Sequence, residues 1–367
     1  MRYTREDGCL AWLTHGQLSY DGLRRLLKDF ACAEAAYDEF LKSGGTCMAG
    51  YAGPDQLALL REAARPDAMH GMMVLMRKEE LGVIALPDAL YPEALRNIDD
   101  PPLILFYRGD LSCLAGRCAT MVGARRASPE GERAAYQVAK ELGAAGVTVI
   151  SGMASGIDTA AHEGCLAGGG VTAAVLACGL DVDYPVDNSD LKRRLIEAGG
   201  ALLSEYPPGT PALGWHFPVR NRILSGLSRA VIMMECRVRS GTMRTVQHAL
   251  DQGREVYAYP GQVGTAWAEG AHQLLREGAN YFATAQDILT DMGWAEDAPP
   301  TREEKQALPP LSEEQRRVLH ELARGERSFD QLAAATGMDA PRLSTALTML
   351  QLLGLIQSLP GKTYARL

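Results

Sequence analysis

The stretch "VTVISGMASGIDTAAHEG" (Val147 to Gly164) decides how the chain is read. Four β-branched residues, "VTVI", predict a buried strand. Gly152 and Gly156 follow, where the missing Cβ lets the backbone come close to another group. A helical stretch starts at once. Strand, glycine loop and helix together have the form of a phosphate cradle. The spacing is neither G-x-G-x-x-G nor G-x-x-x-x-G-K-[ST], which disfavours a classical NAD site and a P-loop ATPase. Asp158 and His162 stand at i, i+4 on the helix. They could form an acid–base pair; the preferred reading is structural, with the carboxylate holding the imidazole.

The same alternation continues on both sides, over about 115 to 291. "CATMVG", "VTAAVLACG", "ALLSEY", "AVIMMEC" and "EVYAYPG" read as strands. Amphipathic stretches such as "PEGERAAYQVAKELGAAG" and "DLKRRLIEAGG" lie between them. Unbroken apolar strands with helical crossovers predict a parallel α/β sheet covered on both faces. Gly123, Gly152, Gly179 and Gly261 close strands at their carboxyl ends, the edge where such sheets bind ligands.

Further outward, residues 1–85 read as mostly helical. A connector, Leu86 to Leu111, carries Pro101 and Pro102 and leads into the apolar strand "LILFY"; residues 86–291 are taken as one domain. Residues 292–310, "WAEDAPPTREEKQALPP" after Gly293, read as a linker rich in proline and charge. Residues 311–367 give three helices and a hairpin about a Pro-Gly turn, with Ser328 as an N-cap. That order is a winged helix.

Composition sets the outer bounds. A chain of 367 residues, 47% hydrophobic, forms at least one large core. The net charge of −8 means that any polyanion must be met by cations gathered locally. Eight scattered cysteines show no metal spacing and fit a reducing compartment. The start "MRYTREDGCLAWL" lacks a secretory apolar region, and "VTAAVLACGL" is too short to span a bilayer. Cytoplasmic location is expected, with no membrane, metal or cofactor.

Four motifs carry candidate chemistry. "MVGARRASPEG" (Met121 to Gly131) runs a strand through Gly123 to Arg125 and Arg126, then opens a helix at Ser128. Two arginines beside a helix amino end read as a phosphate clamp. "CGLDVDYPVDN" (Cys178 to Asn188) offers Asp181, Asp183, Asp187 and Asn188, at spacings that fail an EF-hand, and reads as a turn with Tyr184 and Pro185 in the site wall. "IMMECRVRSGTMRT" (Ile232 to Thr245) repeats strand, arginines and helix start, with Arg237, Arg239, Ser240, Gly241 and Thr242. Its Glu235 would be catalytic or would orient Arg220 or Arg222. "HFPVRNRILSGLS" (His216 to Ser228) adds Phe217, Arg220, Asn221 and Arg222. Guanidinium groups beside an aromatic ring over glycine-lined backbone suit single-stranded nucleic acid, phosphates held by charge and bases by stacking.

In their order and spacing these stretches, with "YPEALRNIDDPPLILFYRGDL", "LLSEYPPGTP" and "GAHQLLREGANYF", resemble the bacterial DNA-processing protein A family (DprA, also called Smf) over about 91 to 282. The resemblance implies an extended Rossmann-like domain that binds single-stranded DNA and dimerises. An N-terminal helical domain like a SAM or helix-hairpin-helix module and a C-terminal winged helix would flank it. It also implies a non-enzymatic role: loading the RecA recombinase onto incoming DNA in natural transformation, displacing single-strand binding protein. The DNA pocket would use Gly123, Arg125 and Arg126, Ser151 and Gly152, and Phe217, Arg220, Asn221 and Arg222. Arg239, Ser240, Gly241 and Thr242 would flank it. Ala124 stands where many members have Ser or Thr, and "RVRSGT" carries extra arginines.

Two rival readings remain. One is a Rossmann-type nucleotide phosphoribohydrolase with Glu235 as the acid and "SGMASG" on the phosphate. The other is a winged-helix transcription factor sensing a nucleotide. Against the latter, the third helix of the winged helix has one basic residue, Arg342, where a groove reader usually has several. Lys362 and Arg366 near the wing leave DNA contact and protein contact both open.

Overall fold

A computed structural model describes residues 3–295, 312–322, 325, 327–352, 355–359 and 363–366. The apolar runs form strands β1 (Gly82–Ala85), β2 (Ile104–Gly109), β3 (Cys118–Val122), β4 (Thr148–Ser151), β5 (Thr172–Val175), β6 (Ala201–Ser204), β7 (Ala230–Met233), β8 (Glu255–Ala258) and β9 (Asn280–Tyr281). They make one nine-stranded sheet in the order 1-2-6-5-4-3-7-8-9. Neighbours from β6 through to β9 are parallel. β1 and β2 add an antiparallel edge. Every residue of β3 to β7 is buried, as expected where helices cover both faces. The chain builds outward from β3 to β6, then returns to lay β7 against β3. That reversal opens a crevice beyond the carboxyl ends of β3 and β7.

Five helices precede the sheet: α1 (Arg5–His15), α2 (Tyr20–Asp29), α3 (Ala33–Lys42), α4 (Pro54–Ala63) and α5 (Pro66–Lys78). Trp12, Phe40, Met48 and Leu60 from this layer share one core with Phe106, Leu176 and Leu202 of the sheet region. The Trp12 indole, fully buried, donates to the Leu60 carbonyl at 2.9 Å. The first 85 residues therefore have no separate core, and they include β1, which pairs with β2 from Gly82↔Tyr107 to Ala85↔Ile104. At four residues, "GVIA" is too short for periodicity to mark it off from the helices before it.

After β1 come α6 (Glu93–Arg96), α7 (Pro129–Ala144), α8 (Ile157–Ala167), α9 (Ser189–Glu197), α10 (His216–Gly226), α11 (Gly241–Asp251), α12 (Glu269–Arg276) and α13 (Ala285–Asp291). Helices α7, α8 and α13 pack on one face through Val138, Ala161 and Ile288. Helices α6 and α10 to α12 pack on the other through Leu95, Leu224, Val246 and Leu274. The α7–α8 contact is backbone against backbone. A Cβ on Gly164 would sit 2.1 Å from the Tyr136 carbonyl, and one on Gly168 2.1 Å from that of Lys140.

The chain divides into two compact units, Met1–Pro299 and Pro300–Leu367. In the second, α14 (Glu313–Leu322), α15 (Phe329–Thr336) and α16 (Ala340–Leu352) accompany β10 (Arg327–Ser328), β11 (Ile356–Leu359) and β12 (Thr363–Arg366). The strands form an antiparallel sheet in the order 10-12-11. Val318, Leu322, Leu332, Leu343, Leu347 and Ile356 make the core of this winged helix. Ser328 caps α15 in a capping box with Gln331, as its sequence suggests. Residues 296–310 of the expected linker and Lys362 lie outside the described residues.

Gly164→Ala is expected to cost about 1–3 kcal/mol, because the added methyl must force α7 from α8. Gly116→Ala, with nothing within 4 Å, serves as the neutral control. Thermal unfolding of the two variants checks this.

Candidate functional site

The crevice holds a cavity of about 660 Å³. Its walls are the loop from β3 to α7, the loop from β7 to α11, and the first turns of α10. On α10, Phe217, Arg220, Asn221 and Leu224 face the cavity. Their i, i+3, i+4, i+7 spacing is one helical face. Val219 and Arg222 fall on another face and line a different groove.

The floor is built on Arg220, which is 4% exposed. Its guanidinium donates to the carbonyl of Gly152 at 3.0 Å and to that of Val175. One arginine on α10 thereby ties down the carboxyl ends of β4 and β5. Gly152 must lack a side chain, since a Cβ there would lie 2.6 Å from the guanidinium nitrogens. The counter-charge is Asp158, whose carboxylate accepts from the backbone N–H groups of Gly152 and Ala154, each at 3.2 Å. Burial pulls the Arg220 pKa down to about 10, with Asp158 opposing the fall, so the side chain stays cationic at neutral pH. Burial likewise raises the Asp158 pKa, and Arg220 opposes it. Ser151, wholly buried, donates its hydroxyl to the Met121 carbonyl at 2.7 Å. Ser151, Gly152 and Arg220 thus support the cavity from beneath.

The rim is different in kind. The Arg125 guanidinium lies 4.4 Å from the centre of the Phe217 ring, and Tyr184 meets that ring edge-on at 5.7 Å. The Arg237 guanidinium lies 4.7 Å from the Trp267 ring. Arg126 and Arg239 complete the lining. All four of these arginines are exposed, and none has an ion-pair partner among the described residues. Helix α11 opens beside them. Its N-cap, Ser240, makes no side-chain cap bond. The free N–H groups of that helix end favour an anion. Thr242 spends its hydroxyl on the Gly123 carbonyl at 3.0 Å, locking the two loops together.

Several expectations need correction. Arg222 does not share this cavity. It is 8% exposed, forks onto Glu205 at 2.7 and 2.9 Å, and meets Asp100 at 3.0 Å. Burial opposes its charge, but Glu205 and Asp100 outweigh burial and raise its pKa. A two-residue step on a helix turns the side chain roughly 200°, so Arg220 and Arg222 cannot converge. Glu235 neither lines the cavity nor orients an arginine. Its carboxylate accepts from the Ser128 backbone N–H at 2.8 Å and from the Ser128 hydroxyl at 2.6 Å. It therefore fills the amino end of α7, which is not left open for a phosphate beside Arg125 and Arg126. Asp158 does not hold His162. The imidazole Nδ1 instead meets the Thr172 hydroxyl at 2.7 Å.

The acidic turn 178–188 is structural. Asp181 accepts from the Gly209 backbone N–H at 2.9 Å, and Asn188 donates to the Met153 carbonyl at 2.9 Å. Among the described residues no group of three His, Cys, Asp or Glu could hold a metal ion. No helix there is long and apolar enough to cross a membrane. All eight cysteines are free. Trp267 lies outside the sequence motifs. Its signal, an aromatic in the polar loop just after "YPG", is weak without the fold.

The family model for DNA recombination-mediator protein A matches residues 82–293. The chain belongs to that family. A second model, the DprA winged helix domain, matches residues 302–362. Protein Smf of Escherichia coli is 37% identical over 293 residues, which cover 78% of this chain and 77% of that one. DNA processing protein DprA of Streptococcus pneumoniae is 42% identical over 204 residues, covering 56% and 72%. Among solved structures, DprA from Streptococcus pneumoniae superposes with a TM-score of 0.62 at 32% identity, over 79% of this chain and 99% of that one. DNA processing protein A from Helicobacter pylori, described for its single-stranded DNA binding mode, gives 0.52 at 27% identity, over 57% and 95%.

Two outcomes follow from the buried groups. Arg222→Ala should lower stability by about 2–3 kcal/mol, since it strands Glu205 while Asp100 stays half in water. Urea titration measures the loss. His162 titrates near 6.5 when unfolded, and burial depresses it to about 3 in the fold. The unfolded chain then binds the extra proton, so stability falls as pH drops from about 6.5 towards 3, by up to about 1.4 kcal/mol per pH unit. In His162→Gln that contribution to the slope should vanish, as unfolding at stepped pH would show.

Proposed function

We propose that the cavity holds single-stranded DNA and that the protein is a recombination mediator. One observation carries the reading. Four arginines without ion-pair partners stand with two aromatic contacts, Arg125 on Phe217 and Arg237 on Trp267, around one opening in a chain of net charge −8. Charge there takes phosphates and the rings take unstacked bases. The open amino end of α11 adds an anion site that needs no base. Gly123, Gly241, Thr242 and Asn221 shape the passage, and Gly152, Ser151 and Arg220 hold its floor.

Membership of the family supports the rest of the proposal. The protein acts as a homodimer in the cytoplasm, displaces single-strand binding protein and hands the strand to a RecA recombinase, as in natural transformation, without itself catalysing a reaction. The opposing reading, a nucleotide phosphoribohydrolase, needs an acid in the cavity. Glu235, the candidate, is committed to the amino end of α7.

An electrophoretic titration with single- and double-stranded DNA of equal length, repeated across salt, tests the proposal. Single strands should bind more tightly, and affinity should fall steeply with salt. Arg125→Ala should weaken binding about tenfold and reduce the salt slope by about one, with unchanged melting temperature. Equal affinity of the variant, or release of free base from nucleotides, would overturn the reading.

A further inference from the structure

We infer that the single strand does not end in the cavity but crosses a ridge, residues 212–215, and lays bases on Trp215 in the groove beyond. The inference rests on the single-strand reading above. The ridge divides its residues between the two spaces. Ala212 and Gly214 line the cavity, whereas Leu213 and Trp215 line a groove of about 770 Å³ on its far side. A strand leaving the Phe217 ring over this ridge meets Trp215 next.

Trp215 is 63% exposed, an unusual position for an indole. Leu59, Leu213 and Val219 are also large, apolar and exposed, and all three line the same groove. Such a cluster marks an interaction surface rather than scattered surface apolarity. The indole stands on a fixed base. Its ring meets His216 edge-on at 4.0 Å, and His216 stacks on Tyr206 at 3.9 Å. His216 is in turn buried and held through Nδ1 by the Ala177 carbonyl at 3.1 Å.

The charge of the groove decides how a strand would lie there. Its guanidinium, Arg222, is already spent on Glu205 and Asp100. With no free guanidinium to bind phosphate, bases face the groove and phosphates face water. Affinity gained there is stacking affinity, which depends on bases and little on salt. A protein segment would also suit an apolar groove. The shared ridge with the cavity favours the nucleic acid.

The test compares Trp215→Ala, Trp215→Phe and the unsubstituted protein on a thymidine dinucleotide and on oligothymidine of about ten residues, across salt. Trp215→Ala should weaken the longer ligand about tenfold, leave the dinucleotide unchanged and keep the salt slope. Trp215→Phe should restore most of the affinity. Unchanged affinity of Trp215→Ala for the longer ligand would overturn the inference and leave the groove to a protein partner. An equal loss on both ligands would also overturn it, placing the effect inside the cavity. Failure of the unsubstituted protein to bind either ligand would overturn the cavity reading and this inference with it.

Discussion

The site depends on a single buried cation. Arg220 reaches from α10 across the ends of β4 and β5, and Asp158 answers its charge from the start of α8. Neither group is stable alone at that depth, because an unpaired buried charge is strongly unfavourable. Together they fix where α10 starts, and so where Phe217 stands. The ring in turn fixes Arg125. A flexible, exposed arginine thereby gains a preferred orientation from a buried one two contacts away.

That arrangement separates two jobs that the sequence presents as one. In "FPVRNR" the residues look like a single cationic cluster. In the fold Phe217 works at the surface, Arg220 works below it, and Arg222 secures α10 to Glu205 and Asp100 on another side. The acidic net charge does not describe the opening, whose lining sets Arg125, Arg126, Arg220, Arg237 and Arg239 against Asp158.

The α/β architecture was legible because buried parallel strands are unbroken apolar runs, and "VTVI" and "AVIMM" leave little choice. β1 was not, because four apolar residues after a helix carry no period. The rim arginines were legible from their position after strand ends. The fates of Arg222 and Glu235 were not. Each depends on a partner distant in sequence, Glu205 with Asp100 for one and Ser128 for the other, and a local pattern contains no information about that partner. Trp267 is the converse case, a residue without a motif that the fold carries to the opening.

The seam between α7 and α8 has a mechanical consequence. Where Gly164 and Gly168 press on the carbonyls of Tyr136 and Lys140, no side chain remains to change rotamer and take up displacement. The two helices must shift as one stiff slab or not at all. Adaptation to ligands of different shape then falls to the arginine-bearing loops. The scaffold behind them acts as an anvil and not as a hinge.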